Sequence, residues 1–477
     1  MMNGTSQLTR REFGFLALAQ SARRKPNILF ILIDDFGWNG LSCYGNKDAA
    51  TPNIDRLAAQ GMRFTAAYAE PQCSPTRAAL LSGQYGARTG VFKVIHEKEP
   101  ENTYLTIPAP NLAMQPSMAT LASDLRAAGY STGIFGKWHI ADQYAAADVR
   151  DRDGGRYFHN YGFDFSSPVS EKMYAADKAV TALTDDTIAF IERNAGRPWF
   201  AYLAHFTTHT RLAAPKDLVD KYAAKGYKRT SSPVARFSER PTAEYLAMVE
   251  HLDNETGRLL AKVDANTVIV FTADNGGLSR MASMLPLREG KGAPYEGGTR
   301  VPLIVRWPGK TKPGSTCATP VHTIDHYPTL MDIASAKPAR KLDGISMTPL
   351  LEGKAIRREA LFWYTPTYTL MYGRTPCSWM RAGDWKLIHW YGDYLAPQGY
   401  TPDFTPYGKL QTGPRWELYN LREDPGEQKD LARERPEKLT ELRRMLEVWW
   451  KETGARAPTL NPSFDRGKWP SPRGPRA

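Results

Sequence analysis

Cysteine is scarce in this chain. Four occur in 477 residues, at positions 43, 73, 317 and 377, and no two are spaced C-x-x-C. That argues against a thiolate zinc site and against a disulfide framework, and leaves room for one disulfide at most as a side feature. Long apolar runs are also missing. No segment reaches the roughly 20 residues that a bilayer-spanning helix needs, so no transmembrane segment is expected. Internal repeats are absent. Acid is in deficit: 62 Lys and Arg face 50 Asp and Glu, for a net charge of +12. A basic chain attracts anions at long range. Its Lys and Arg are scattered and no nucleic-acid-binding signature appears, so nucleic acid is not expected and a polyanionic glycan is the better partner.

What is present describes an ordinary globular chain, 42% hydrophobic and 23% charged, long enough for two or three units. Aromatic residues are plentiful, which suits sugar binding as well as core packing. The N-terminal "LTRREFGFLALAQSARRKP" places Arg10 and Arg11 before a short apolar run, Phe13 to Ala19. This resembles a twin-arginine export signal. Residues 1–25 are therefore read as an export leader to the periplasm or exterior; a disordered basic leader would leave a cytoplasmic location open.

"PNILFILIDD" (26–35) and "TVIVFTADNGG" (267–277) are continuous apolar runs ending in acids. Such runs suit strands buried on both faces of a parallel sheet. "WFAYLAH" (199–205) and "YSTGIFGKWH" (130–139) read as further strands. Between them, "SMATLASDLRAAG" puts Met118, Leu121, Leu125 and Ala128 on one helical stripe with Gly129 as its stop, and residues 243–263 form a longer amphipathic helix. Alternating strands and helices predict an α/β fold with a mainly parallel sheet flanked by helices over 26–353. After about Gly353 the pattern changes to short aromatic strands, "LFWYTP", "WMRAGDWKLIHWY" and "RWELYNL", then a closing helix. This predicts a smaller C-terminal antiparallel-sheet subdomain over 354–457, and a loose basic tail over 458–477.

Ligands of parallel sheets sit at the carboxyl ends of strands, which is where Asp34, Asp35, Asp274 and Asn275 fall. Oxygen donors alone imply a hard cation, Ca²⁺ or Mg²⁺; each pair alone could equally be a helix cap. Lys137, His139, Lys291, His205 and His209 lie in loops after or between strands, and Arg77 comes one helical turn after Cys73. Together they resemble a pocket for a tetrahedral oxyanion. Cys73 itself stays open at this point: packing residue, disulfide half, metal thiolate, nucleophile, or a cysteine that is modified.

The strings "CSPTR" with "AALLSG", "ILIDDFG", "GYSTGIFGKWH", "TADNGG" and "KGAPYEGGTRVPLIVRWPG" resemble the type I sulfatase family, of alkaline phosphatase-like fold. The resemblance runs from Pro26 to Asp343, and "ELYNLREDPGEQKDLA" carries it to Ala432. It implies that a maturation enzyme reading C-x-P-x-R oxidises Cys73 to Cα-formylglycine. The hydrated aldehyde would attack sulfur with one hydroxyl and expel sulfate with the other. It further implies that Asp34, Asp35, Asp274, Asn275 and an oxygen of residue 73 bind a divalent cation, Ca²⁺ first, Mg²⁺ second. Arg77 would hold the diol, Asp274 is the family's candidate base for it, and His139 would take its proton during elimination. Lys137 would steady both, and Lys291 and His209 would grip the ester oxygen, one of them protonating the leaving alcohol. The family usually carries proline before this histidine; here it is Thr208, and His205 competes for the role. His96 and the aromatic span Trp363 to Tyr400 are candidate substrate contacts.

The activity implied is sulfuric ester hydrolysis, on a sulfated glycan or a small sulfate ester. Two rival readings are a phosphonate monoester or phosphodiester hydrolase of the same superfamily, and a binding protein that holds sulfated glycan without turnover. The intact set Cys73, Arg77, Lys137, His139 and Asp274 argues against the second.

Overall fold

Strand β1 (Asn27–Ile33) is buried at every position, as an unbroken apolar run requires, and it lies at the middle of a nine-stranded sheet. The computed structural model describes residues 25–95, 97, 99, 101–140, 156–167, 169, 171–229, 241–279, 281–369, 374–394, 411–412, 414–465 and 468. The expected export leader (save Lys25), His96 and most of the tail beyond 465 lie outside them.

The other strands of the sheet are β2 (Met62–Tyr68), β3 (Ser131–Gly136), β4 (Phe165–Ser167), β5 (Trp199–Ala204), β6 (Thr267–Ala273), β7 (Arg300–Arg306), β8 (Ser315–Cys317) and β9 (Val321–His322). Their order is β9-β2-β7-β6-β1-β5-β3-β4, with β8 also on β2. Pairings among β4, β3, β5, β1 and β6 are all parallel. Strand β7 runs antiparallel to both β6 and β2, so β2 points the same way as β6. The carboxyl ends of β1, β2, β3, β5 and β6 therefore share one edge with the amino end of β7.

Helices flank the sheet in two groups. α6 (Ala243–Leu260) packs with α1 (Pro52–Gln60), α4 (Val180–Arg193) and α5 (Lys216–Ala224); α2 (Cys73–Ser82) packs with α3 (Leu121–Ala127) and α7 (His326–Ile333). The fold class expected from the sequence is the one observed. The helix expected from Met118 starts instead at Leu121. Thr120 caps it, accepting from Ser123 N at 3.0 Å while Thr120 N donates to Ser123 Oγ at 2.8 Å. This reciprocal cap satisfies two orphan donors and sets the start more sharply than the apolar stripe does. Gly129 ends the segment as predicted, with φ +90°.

The C-terminal strands β10 (Leu361–Thr365), β11 (Cys377–Ala382), β12 (Trp385–Trp390) and β13 (Arg415–Asn420) form a four-stranded antiparallel sheet. Helix α8 (Pro436–Thr453) covers it with Leu442, Leu446 and Trp449, at i, i+4 and i+7. A second apolar core joins this sheet to the first, with Tyr68 and Tyr295 packed among Trp363, Trp379 and Ile388. The tail expected to be loose from Pro458 is held at its start, where Thr459–Leu460 pairs with Leu105–Thr106. All four cysteines are free thiols.

Candidate active site

The shared edge of the sheet gathers the predicted residues. Asp34 and Asp35 leave β1, Asp274 and Asn275 leave β6, and Lys137 leaves β3; all are buried. Cys73 opens α2, whose ten residues are all buried. Pro75 sits in the first turn, where its missing N–H breaks no helical hydrogen bond, and Gly83 ends the helix with a left-handed φ of +65°. Lys291 comes from the loop between β6 and β7. Because β7 is reversed, that loop leaves from and returns to the same edge. Its stem is closed by the glycines of "DNGG" and "EGGT": a Cβ on Gly276 would stand 1.8 Å from the Gly297 carbonyl oxygen, so only glycine fits this crossing.

Cys73 Sγ lies 3.1 Å from His139 Nδ1. Burial, then Lys137 and Arg77, hold His139 well below its ordinary pKa, and burial raises the Cys73 thiol. The pair is therefore a neutral thiol against a neutral imidazole. Arg77, four residues on, presents Nε and Nη2 to Asp274 Oδ2 at 3.1 and 2.7 Å and Nη1 to the Lys137 carbonyl at 2.8 Å. Lys137 Nζ meets Asp34 Oδ2 at 2.6 Å, and Lys291 Nζ meets Asp35 Oδ1 at 2.6 Å. Burial works to raise the Asp34 pKa, but Lys137 foremost, with His209, Arg77 and Lys291, outweighs it and holds the carboxyl low. Asp35 and His139 both have left-handed φ, 57° and 58°, a cost that non-glycine residues bear mostly at functional sites.

Several oxygens here are poised for a cation. Asp34 Oδ1, Asp35 Oδ2 and Asn275 Oδ1 are buried without a hydrogen-bond partner among the described residues. Donor atoms of Asp34, Cys73 and Asp274 lie within 4.8 Å of one another. An orphaned carboxylate oxygen is costly in a dry interior unless a positive charge meets it, so the residues fit a hard divalent ion.

Of the competing histidines, His209 reaches this cluster: its Nε2 is 3.7 Å from Asp35 Oδ2 and 34% of the side chain stays exposed. Burial and the Lys291 ammonium push its pKa down. His205 is turned away into the core, where burial and His251 lower its pKa to about 3. The Thr207–Thr208 peptide is cis, and Thr208 Oγ1 donates to the Asp35 carbonyl at 2.9 Å. Two tryptophans of the aromatic span go elsewhere. Trp363 and Trp379 stack 5.7 Å apart inside the second core, and Trp363 Nε1 donates to the Ala69 carbonyl at 2.9 Å; their apolar rings are packing, not substrate contacts. One residue the sequence reading missed is Lys178. It is fully buried, and burial foremost lowers its pKa to about 7 against the pull of Asp34 and Asp35. No motif marks it.

The sulfatase family model matches residues 26–336, and the model for the C-terminal part of N-sulphoglucosamine sulphohydrolase matches 290–398. The chain is 32% identical to a sulfatase of Formosa agariphila, covering 88% of this chain and 87% of that one. It is 28% identical to the N-acetylgalactosamine-6-sulfatase of Canis lupus familiaris, covering 90% and 86%. The crystal structure of Ps i-CgsB in complex with k-i-k-neocarrahexaose superposes with a TM-score of 0.68 at 25% identity, covering 93% and 99%.

Proposed function

The chain belongs to the sulfatase family and is a sulfuric ester hydrolase, and from that premise we propose that it desulfates a carbohydrate, using Cα-formylglycine made from Cys73 and a divalent cation, Ca²⁺. The observation that carries this is the setting of Cys73. A buried thiol with a raised pKa is a poor nucleophile, yet it stands at the focus of three acids, three cations and a neutral histidine. A precursor explains the position better than a reacting thiol. Formylglycine, once formed, supplies a hydrated aldehyde with one hydroxyl for attack and a second for release of sulfate. The cation, when bound by Asp34, Asp35, Asp274 and Asn275, supplies charge that polarises the sulfate oxygens.

The chain's own residues then have separate tasks. Arg77 fixes the Asp274 carboxylate beside residue 73. His139 Nδ1 is placed to take a proton from the side chain at position 73. Lys137 neutralises Asp34 and steadies that side. Lys291 and His209 flank Asp35 on the other side, where either donates a proton to the departing alcohol. The charges of Asp34, Asp35 and Asp274 are already matched by Arg77, Lys137 and Lys291, so a divalent cation leaves the pocket positive and suited to an anionic ester. Relatives named for N-acetylgalactosamine-6-sulfate and a neighbour holding neocarrahexaose support a saccharide leaving group. The burial of all of α2 supports modification before folding, by a maturation enzyme that meets the segment while it is extended. The basic leader supports export; among the described residues no helix is long and apolar enough to cross a membrane.

The test is turnover of an aryl sulfate against an aryl phosphodiester, by protein made beside a competent maturation enzyme. The sulfate is expected to be preferred, chelation is expected to abolish turnover until Ca²⁺ is restored, and mass spectrometry of the peptide bearing residue 73 is expected to find the aldehyde. Cys73→Ser is expected to stay folded and to lose about 10³-fold or more in kcat. A preference for the diester, or near-normal Cys73→Ser, overturns the reading.

A further inference from the structure

We propose that Lys178 is a positioning residue for His209, holding it in the tautomer and orientation that serve the leaving group; this rests on the assignment of His209 to the leaving oxygen. The short helix Glu171–Asp177 ends at Lys178 and Ala179, both left-handed, with φ of 62° and 59°. Glycine is the usual choice where a helix ends in this conformation, and each non-glycine residue there costs about 1 kcal/mol. Here the first such place is given to a lysine that is completely buried. Both features are unfavourable for stability alone, so the side chain must be wanted where it lands.

It lands on the loop that carries His209. Lys178 Nζ donates to the Thr210 carbonyl at 3.1 Å and to the Tyr174 hydroxyl, and sits 3.9 Å from the Tyr174 ring centroid. No carboxylate forms an ion pair with it among the described residues. The Tyr174 hydroxyl stands 3.5 Å from the same Thr210 carbonyl, and the Tyr174 ring packs edge-on against Phe206 at 5.2 Å. His209 Nδ1 is 2.9 Å from that carbonyl too. A carbonyl only accepts, so Nδ1 carries the proton and donates. This leaves Nε2, the atom 3.7 Å from Asp35, facing the pocket: when both nitrogens carry protons, Nε2 gives its proton to the leaving oxygen, and what remains is the neutral Nδ1–H ring that the carbonyl already holds. Lys178 therefore pins the acceptor that decides which nitrogen of His209 faces the reaction. The tautomer is fixed by a backbone atom, and the backbone atom is fixed by a buried lysine.

The experiment uses leaving-group dependence. A sugar or alkyl sulfate leaves as a poor alkoxide and needs the proton; a p-nitrophenyl sulfate leaves as a stable phenoxide and does not. Lys178→Met keeps most of the side chain's length, removes only its polar end and suits a buried position. It is expected to lower kcat/KM for a monosaccharide sulfate at least about ten times more than for p-nitrophenyl sulfate, with KM little changed, because proton donation of this kind is worth about 10²–10⁴-fold. His209→Ala is run beside it and is expected to show the same selectivity more strongly. Equal losses on both substrates in Lys178→Met, or no loss, overturn the proposal. Selectivity absent from His209→Ala overturns instead the assignment beneath it, and no aryl sulfate turnover by the parent protein made beside a competent maturation enzyme overturns the proposed function. If Lys178→Met does not accumulate folded, Tyr174→Phe frees the Lys178 amine on one side without emptying the core. It is expected to show the same selectivity at smaller size, and its absence there counts against the proposal equally.

Discussion

His205 and His209 stand four residues apart in "HFTTHT", and either could be assigned to the leaving group from spacing. The fold separates them. His205 follows β5 directly and points into the core, its Nδ1 without a partner among the described residues; His209 lies beyond the turn, open to the pocket. The expected outcome is that His209→Ala lowers sugar sulfate turnover by about 10²-fold or more, while His205→Ala acts through stability. Kinetics paired with denaturation curves separate the two effects, and the reverse pattern moves the assignment to His205. Most of the cluster was legible because its chemistry forces its position. Acids tolerated after a buried apolar run must find a cation, so Asp34, Asp35, Asp274 and Asn275 announce themselves as strand-end pairs. Lys178 was not legible. It ends a short helix with no motif around it, and its contact with Thr210 exists only once two distant segments pack. His96 lies outside the described residues, and its assignment to substrate binding remains a proposal.

At the scale of elements, the strands followed from apolar continuity, and the reversal of β7 did not. Nothing in "TRVPLIVRWPG" distinguishes a parallel from an antiparallel buried strand, since both bury two faces in the middle of a sheet. The start of α3 was hidden differently: T-x-x-S at 120–123 is a capping signal that the apolar stripe obscured. The segment joining β2 to α2 carries a measurable anomaly. Glu70 is buried, its Oε1 unpartnered among the described residues and 3.9 Å from a His322 Nε2 that burial keeps neutral. Burial pushes its carboxyl up to about 8. A pKa raised on folding gives stability that is fully present below the unfolded value, about 4.3, and is lost as pH rises through the folded one. Glu70→Gln has no such dependence. Denaturation midpoints measured from pH 5 to pH 9 are expected to show the variant gaining on the parent up to about pH 8 and then holding level; a constant difference would mean that Glu70 is ionised in the folded protein.

For the whole molecule, the decisive contact is between the two sheets. Lys386 on β12 is buried between Glu296, 3.1 Å away in the loop before β7, and Glu427, 2.9 Å away after β13. Glu427 Oε2 also accepts from Glu296 N at 2.6 Å, and the Tyr68 hydroxyl donates to Glu296 Oε2 at 2.7 Å. We propose the division between catalytic part and C-terminal subdomain near residue 353, but the second core and this network cross it. Removing this cation leaves two buried acids facing each other, with Arg300, 3.6 Å from Glu296 Oε2, offsetting part of their charge. Lys386→Met is expected to cost about 3–5 kcal/mol, read from denaturant unfolding, with proteolysis beginning in the C-terminal sheet. A parent-like midpoint would assign the joint to the apolar core instead.

The closed stem of the loop between β6 and β7 has a consequence for how such a pocket can change. Gly276 N donates to the Gly298 carbonyl at 2.9 Å, and Lys291 N to the Gly277 carbonyl at 3.0 Å. The chain leaves the sheet beside Asp274 and Asn275 and re-enters it at the same edge. Whatever is inserted or removed between the two glycine pairs alters neither the register of the sheet nor the spacing of the acids. The wall that carries Lys291 is a panel hung on a fixed frame: so long as Lys291 keeps its place at Asp35, the rest of the panel can be reshaped around a new leaving group while the acids of β1 and β6 stay where they are.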